Sequence, residues 1–415
     1  MDLLDDLAWR GLLYQVTDHE ALAKRLEQGP ISLYCGFDPT ADSLGVGNLV
    51  QILLLRRFQE AGHRPIALVG GGTGLIGDPG GKTAERQLQA KETVVEWAAG
   101  FGQQIARFLK FDGDNAARMV NNLDWLGEMS AIDLLRDVGK HFPVPYMLAK
   151  DSVASRLESG ISYTEFSYMV LQSYDFLQLH QREGCELQIG GSDQWGNITA
   201  GSDFIRRSGG SQVYGLTCPL VTQADGTKFG KTEAGNVWLG ADRTSPYEFY
   251  QFWINAPDAS VVDYLKVFTL KSREEIEALA ASVESDPGKR EAQRALAESV
   301  TALVHGEEAC RKAEKISRAL FYGELKELEV DEIQQGFGDV PTWSMGEAEL
   351  GLVDLLVNAG VVKAKRQARE DIKNGAIYLN GDRCTDLDRV VRKADGLHGQ
   401  YVVIRRGKNK YFLVQ

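Results

Sequence analysis

Two short, mostly apolar runs, Ser32 to Phe37 and Pro65 to Val69, flank a stretch in which Leu49, Ile52, Leu53, Leu55 and Phe58 recur at helical spacing. Strand, loop, helix and strand in that order predict a βαβ unit, hence a parallel sheet with ligand sites beyond the carboxyl ends of its strands. The N-terminal half, residues 1–220, therefore reads as an α/β domain of the doubly wound, Rossmann-like kind. From Ser272 to Leu320 apolar and charged residues alternate at helical period with few strand-like runs, which predicts a helical domain within residues 221–335. Gly, Pro, Ser and acidic residues then crowd 336–350, the composition of a linker. Beyond it a basic helical segment precedes strand-like runs at Ile377 to Leu379, Tyr401 to Ile404 and Tyr411 to Val414, so residues 351–415 read as a small α+β module.

Charge sharpens this division. A net charge of −12 over 415 residues argues, taken whole, against a nucleic-acid partner. From Val361 to Gln415, however, 13 Lys and Arg stand against 6 Asp and Glu, a local +7 that leaves −19 for everything before it. A basic module is carried on an acidic body. With 43% hydrophobic and 25% charged residues the composition is that of a globular protein, and no apolar run approaches the roughly 18 residues of a membrane span. The acidic start, Met1-Asp2-Leu3-Leu4-Asp5-Asp6, lacks the basic and apolar regions of a signal peptide, so a cytoplasmic location is expected. Five cysteines without a Cys-x-x-Cys spacing and six scattered histidines suggest neither a disulfide framework nor a structural metal.

Two glycine-rich segments carry lysine. Gly72, Gly74 and Gly77 spell the dinucleotide fingerprint G-x-G-x-x-G, but Asp78-Pro79-Gly80-Gly81 breaks the chain where that fingerprint must open a helix. Gly81-Lys82-Thr83 and Gly230-Lys231-Thr232 imitate the end of a phosphate-binding P-loop, yet Ile76 and Asp225 stand where its first glycine belongs. Either segment is a solvated turn or a cationic flap able to close on a polyphosphate. Tyr168, Gln172 and Asp175 fall at i, i+4 and i+7, so a helix would turn all three polar groups to one side, a pattern suited to an amino-acid ligand.

Five segments then occur in a telling order. They are Leu33-Tyr34-Cys35-Gly36-Phe37-Asp38-Pro39-Thr40, Gly77-Asp78-Pro79, Ile161-Ser162-Tyr163-Thr164-Glu165-Phe166-Ser167-Tyr168, Gln188-Ile189-Gly190-Gly191-Ser192-Asp193-Gln194-Trp195-Gly196-Asn197 and Lys228-Phe229-Gly230-Lys231-Thr232. In these the chain resembles the bacterial tyrosyl-tRNA synthetases, a class I family, and the similarity extends along essentially its whole length. The resemblance implies that Tyr34 and Asp175 bind the phenol of tyrosine, that Asp78, Tyr168 and Gln172 hold its ammonium group, and that Gln194 orients it. It further implies that Gly36, Asp38, Thr40, Gly47, Asn48, Gly191, Asp193 and Lys231 line ATP. Lys82, Arg86, Lys228 and Lys231 would then neutralise the leaving pyrophosphate, with Mg²⁺ carried in by ATP and no tightly bound cofactor. No general base is needed, because a tyrosine carboxylate is already ionised at neutral pH.

One motif departs from the family. Where it has His-Ile-Gly-His, this chain has Gly45-Val46-Gly47-Asn48. Asn48 keeps an amide donor, whereas Gly45 has none; removing one oriented donor of this kind costs about 2.7 to 4 kcal/mol in the transition state. The departure implies either a synthetase with slowed activation, the favoured reading, or an impaired paralogue that binds tyrosine or RNA without catalysis. On the RNA side, Lys363, Lys365, Arg366, Arg369, Arg405, Arg406 and Lys408 belong to a segment resembling an S4-type module, whose cations suit the phosphates of tRNA(Tyr). Arg206 and Arg207 are a second candidate contact. The family also implies a homodimer.

Overall fold

The computed structural model describes residues 2–79, 88–158, 160–222, 229–232, 235–338, 340–407 and 410–415. They form two compact units, Met1–Thr244 with Asn255–Val300, and Ser245–Ile254 with Thr301–Gln415. In the first, β1 (Gln15–Val16) and β2 (Ser32–Phe37) lead through α1 (Leu49–Glu60) to β3 (Arg64–Val69) and through α2 (Lys91–Ile105) to β4 (Arg118–Asn121). The long α3 (Tyr163–Glu183) precedes β5 (Cys185–Gly191), and α4 (Trp195–Arg207) precedes β6 (Tyr214–Cys218). The six strands lie in the order β1-β6-β5-β2-β3-β4, parallel except for β1. The α/β expectation is borne out. β2 has β3 on one side and β5 on the other, so the direction of winding reverses there and opens a crevice at the carboxyl ends of both.

Local sequence explains why the elements start and stop where they do. The Ser162 hydroxyl accepts a hydrogen bond from the Glu165 N–H to open α3, and Gly184, at a φ of 61°, closes it in a conformation that costs glycine little. Nine of the twelve residues of α1 are buried, so it is a core helix and not a surface one. Its Arg57 donates to the carbonyls of Lys266 and Thr269, capping the buried C-terminal end of α5 (Asp258–Phe268). After β3 the chain needs Gly70, Gly71 and Gly72 because side chains there have no room. A Cβ would fall 1.9 Å from Asp38 Oδ1 at the first, 2.4 Å from Asn121 Oδ1 at the second and 2.9 Å from Leu126 Cδ1 at the third. The glycine run thus serves close packing of the crevice wall. Further on, β7 (Lys231–Thr232) and β8 (Gly235–Asn236) pair antiparallel.

In the second unit, the Pro246–Ile254 helix, α6 (Glu307–Tyr322) and α7 (Val330–Gly336) precede a five-stranded sheet. Its strands are β9 (Thr342–Trp343), β11 (Ile377–Leu379), β12 (Asp382–Cys384), β14 (Val402–Arg406) and β15 (Lys410–Val414), while β10 (Glu349–Gly351) and β13 (Val390–Arg392) pair separately. Residues 336–350, read above as a linker, thus contribute β9, which runs parallel to β15 through Leu413↔Thr342 and Val414↔Trp343. One sheet face, with Ile377, Ile404 and Val414, packs on α8 (Leu352–Asn358) and α9 (Lys365–Lys373). Val403, Leu413 and Tyr401 on the opposite face pack with Ile316, Ala319 and Ile333 of α6 and α7.

The tightest point of that second packing lies at Gly381. Its φ is +94°, and a Cβ would sit 2.1 Å from the Gly323 carbonyl oxygen. Gly381→Ala is expected to lower the stability of this unit by about 1–3 kcal/mol, from backbone strain and from the clash with a carbonyl that cannot rotate away. The change is read as a drop in the urea midpoint of the full chain. Gly346→Ala, at an ordinary φ with nothing within 4 Å, should leave the midpoint unmoved.

Candidate active site

The crevice is walled by the carboxyl ends of β2, β3, β4 and β5 and by one face of α3. Tyr168, Gln172 and Asp175 do share that face. The Tyr168 hydroxyl donates to Asp38 Oδ2 at 2.6 Å, and the Thr73 hydroxyl donates to Asp38 Oδ1 at 2.6 Å. Asp38 is thereby fixed just past the end of β2. One turn along the helix, Gln172 Oε1 accepts from Asn197 Nδ2 at 3.0 Å, and the same Nδ2 lies 3.2 Å from Gln194 Oε1. Gln194 Nε2 in turn donates to Asp78 Oδ2 at 2.6 Å. Gln172 and Asp78 are thereby joined through Asn197 and Gln194, while Tyr168 is tied to Asp38.

Deeper in, Asp175 is 2% exposed and accepts from Trp125 Nε1 at 2.7 Å and from Asn122 Nδ2 at 2.9 Å. Asn122 also donates to Thr73 Oγ1 at 2.9 Å and accepts from the Gly72 N–H at 2.7 Å, which joins the floor of the crevice to the Asp38 corner. Burial pushes the Asp175 carboxyl up from 3.8 to about 8; the two donated bonds oppose the shift and the Asp38 charge adds to it. Tyr34, on β2, is 1% exposed, and its hydroxyl has no hydrogen-bond partner. Burial raises its pKa well above the usual phenol value, with the Asp175 charge as the next cause. A buried hydroxyl without a partner, within electrostatic reach of a buried carboxyl, is a place suited to a polar ligand.

Nearer the surface, Gly36 is exposed on an otherwise buried strand and leaves a flat floor, and Thr40 and Asp193 are also exposed. Gly191 closes β5 with no room for a side chain, since a Cβ would lie 2.6 Å from Asp193 Oδ1. The turn Gly45-Val46-Gly47-Asn48 opens α1. Asn48 Oδ1 accepts from the Gly45 N–H at 3.1 Å, so the amide oxygen holds the turn and the Nδ2 end remains for other use. The Val46 N–H donates to the Val237 carbonyl, and the Leu239 N–H to that of Leu44, which ties the turn to the strand leaving the lysine loop. Gly230, at a φ of +82°, rests on Val46, where a Cβ would come within 2.4 Å of Cγ1. Phe229 is buried and stacks on Phe268 of α5 at 5.0 Å and 18°. Lys231 is exposed on β7. Lys82, Arg86, Lys228 and Lys408 lie outside the described residues.

Asn122, Trp125, Thr73 and Asn197 were not among the residues picked from sequence. Each bonds a partner about 25 to 53 positions away. Of the RNA candidates, Lys363, Lys365, Arg366 and Arg369 are exposed on and just before α9, although Lys365 pairs with Asp354. Arg206 and Arg207 are exposed at the end of α4, the first beside Asp203 and the second bonded to the His141 carbonyl. Arg405 lies over the Tyr378 ring at 3.8 Å. Arg406 is half-buried and bonds Asp371 at 2.8 Å and the Val361 carbonyl at 3.2 Å. Those bonds tie it to the fold of its own unit.

A doubly wound sheet whose strand ends carry this polar crevice is the architecture of a class I aminoacyl-tRNA synthetase, and the family described as tRNA synthetases class I (W and Y) matches residues 26–322. A second family, the tyrosine–tRNA ligase SYY-like C-terminal domain, matches residues 332–414. The chain is 60% identical to a tyrosine–tRNA ligase of Bacillus caldotenax over 417 aligned residues, which cover 100% of both chains. It is 59% identical to tyrosine–tRNA ligase 1 of Bacillus subtilis, over 100% of this chain and 99% of that one. Among solved structures it resembles a C-terminally truncated mitochondrial tyrosyl-tRNA synthetase of Aspergillus nidulans, with a TM-score of 0.70 and 29% identity over 77% of this chain and 94% of that one. The protein belongs to the tyrosine–tRNA ligase family of class I synthetases.

Asp175 gives the unliganded protein a distinctive pH dependence. With a native pKa near 8 against 3.8, the unfolded chain releases this proton first, so stability falls as pH climbs through that interval. Asp175→Asn removes the contribution. Urea unfolding at about pH 5 and about pH 8 should show the variant gaining on the parent protein as pH rises; parallel losses in the two proteins would mean that Asp175 titrates normally.

Proposed function

We propose that this protein activates L-tyrosine with ATP, giving tyrosyl-adenylate and pyrophosphate, and then transfers the tyrosyl group to the 3′ end of tRNA(Tyr). The observation that carries this reading is the buried Tyr34 hydroxyl, unpaired, close to a buried Asp175 that already has two donors. A substrate phenol entering there donates to Asp175 and accepts from Tyr34. Phenylalanine leaves the Tyr34 hydroxyl unpaired and gives Asp175 no further donor, and a site built to bind a hydroxyl rejects the analogue lacking it; tyrosine against phenylalanine is the standard illustration of that rule. Asp78, Tyr168 and Gln172 receive the ammonium group, and Gln194 orients it.

The nucleotide lies along Gly36, Asp38, Thr40, Gly47, Asn48, Gly191 and Asp193, bound as its Mg²⁺ complex. The tyrosine carboxylate oxygen attacks the α-phosphorus, the bond to the β-phosphate bridge breaks, and pyrophosphate leaves with its charge met by Lys82, Arg86, Lys228 and Lys231. A terminal ribose hydroxyl of the tRNA then attacks the tyrosyl carbonyl and AMP departs. Lys363, Lys365, Arg366, Arg369, Arg405 and Lys408 contact tRNA phosphates, with Arg206 and Arg207 on the first unit as a further contact.

Residues 1–220 carry the chemistry in this scheme, 221–335 the lysine loop and anticodon-binding helices, and 351–415 the S4-like RNA contact. Homodimer formation is supported by Ile132, Leu135, Val144, Leu148 and Leu157, large apolar side chains left exposed on one stretch of the first unit. No helix among the described residues is long and apolar enough to cross a membrane. We assign the protein to the cytoplasm on the strength of its role in translation.

Gly45-Val46-Gly47-Asn48 takes the place of the family's His-Ile-Gly-His. The backbone at Gly45 is extended, with φ −84° and ψ 161°, and a Cβ there would meet nothing nearer than the Val237 carbonyl oxygen at 3.7 Å. A Cβ is therefore accommodated, and Gly45→His should raise tyrosine-dependent ATP–pyrophosphate exchange by about 10-fold or more, with little change in tyrosine affinity. Equal rates would make the departure silent. In the same assay the unmodified protein should prefer tyrosine to phenylalanine by about 10⁴-fold, the range for hydroxyl-reading sites generally. Exchange that is indifferent to the amino acid would refute the pocket assignment.

A further inference from the structure

We propose that the N-terminal segment is a brace for the cationic loop, and that Arg10 is a positioning residue for tyrosine activation, acting through the helix on which Phe229 is seated. Residues 3–12 supply no group to the chemistry described above, yet they place a charge in the interior of the first unit. Arg10 is 6% exposed; its Nε donates to Asp6 at 2.8 Å, Nη1 to the Lys266 carbonyl at 3.1 Å and Nη2 to the Lys271 carbonyl at 2.9 Å. Arg57 of α1 reaches the same place and donates to the Lys266 carbonyl at 3.3 Å and to the Thr269 carbonyl at 2.5 Å. Two guanidinium groups thus share one carbonyl at the C-terminal end of α5. Burial first, and the Arg10 charge next, bring Arg57 down to about 10. Like charges are kept together here because the carbonyls that end a helix carry the negative end of its dipole.

Trp9 fastens the same corner. Its ring has the Arg10 guanidinium 5.3 Å from the centroid, the Lys266 ammonium at 5.5 Å and the Arg273 guanidinium at 5.0 Å. Arg273 opens the next helix, Arg273–Ser285. The turn out of α5 is therefore held by Trp9 and Arg10 from the N-terminal segment and by Arg57 from α1.

What α5 offers in turn is a seat for the loop. Phe229 is buried against Tyr264 and Phe268, with ring centroids 5.1 and 5.0 Å away. Phe268 lies between the two carbonyls, of Lys266 and Thr269, that Arg57 holds. Lys228 adjoins Phe229 in sequence, and Lys231 follows two residues later. The Phe229 N–H donates to the Val221 carbonyl at 3.4 Å, so the two stems of the loop meet at this seat. Behind the entering stem, Pro219 to Thr222, lies a cavity of about 400 Å³ shared with Ala8 to Leu12 and with Tyr264 and Val267 of α5. The stem has space behind it; its position follows Phe229, and Phe229 follows α5. Loop cations must meet the leaving pyrophosphate closely, since a misplacement of about 1 Å can cost about 10²-fold in rate. Removing Arg10 takes a donor from the Lys266 and Lys271 carbonyls, at the far end of that path.

The brace serves catalysis only if the ligase reading of the lysine loop holds, and the experiment separates the two. The full-length parent protein is compared with Arg10→Gln, Lys231→Ala and Arg25→Gln, the last breaking the Arg25–Glu186 pair elsewhere in the N-terminal region as a structural control. Active sites are counted by the burst of tyrosyl-adenylate, and rates per site are measured for activation and for transfer from preformed adenylate to tRNA(Tyr). Arg10→Gln should slow activation per site by about 10-fold with tyrosine affinity and transfer unchanged, because pyrophosphate has left before transfer begins. Arg25→Gln should lower the melting midpoint and leave both rates per site intact. Arg10→Lys keeps the charge but cannot span two carbonyls; it should show the same split at smaller size, and it keeps the test decisive if the glutamine variant does not fold. Fewer active sites at full rate per site would make Arg10 merely structural and overturn the proposal, as would equal slowing of both steps. If Lys231→Ala slows activation and neither Arg10 variant does, the brace alone falls. If Lys231→Ala leaves activation untouched, the loop assignment falls and the brace with it.

Discussion

A carboxyl group cut off from water must be held by donors, and the way Asp175 is held dictates much of the first unit. Its two donors come from Asn122 and Trp125, so β4 and the turn after it must reach the crevice, which requires β4 to lie beside β3. Asn122 reaches only because the Gly72 backbone comes close enough to bond it, and any side chain at that glycine would strike Leu126. Thr73 then passes the connection on to Asp38 and Tyr168. Strand order, the glycine run and the helix face are thus joined in one network. The network is built around a group that is expensive to bury.

The altered turn at the head of α1 shows how architecture and chemistry can be separated. Its backbone is fixed by Val237 and Leu239, its interior by Val46 against Gly230, and the adjoining loop by the Phe229–Phe268 stack. Phe268 sits near the end of α5, which Arg57 of α1 caps, so the two ends of α1 are referred to the same partner helix. None of these contacts involves the side chain at position 45. What Gly45 lacks is a hydrogen-bond donor; the path that positions the cationic loop against the start of α1 is complete without it.

The legible parts of this protein are those written at short range. β2, α1 and β3 were readable because a strand buried on both faces and a core helix leave unmistakable apolar periods. The shared face of Tyr168, Gln172 and Asp175 followed from helical spacing alone. Asn122 and Trp125 could not be found in this way, since they sit at the end of a four-residue strand and in a single turn of helix, where no period has room to develop. β9 was hidden for a related reason: two residues show no alternation, and its partner strand lies some seventy residues on. The pairing of Arg406 with Asp371 was likewise out of reach, because sequence reports charge but not the partner thirty-five positions away that the fold brings to it.

Charge along the chain resolves the paradox of an acidic protein with an RNA partner. Interactions between exposed charges fade over roughly 8–10 Å at ordinary ionic strength, so the −19 carried before Val361 does not cancel the +7 after it at the distances where phosphates touch protein. The acidic body instead repels RNA wherever cations do not guide it, which narrows the orientations in which a tRNA can approach. Within the narrowed set, phosphate contacts fix position and carry little information about sequence. Whatever distinguishes one tRNA from another must then come from groups that read bases.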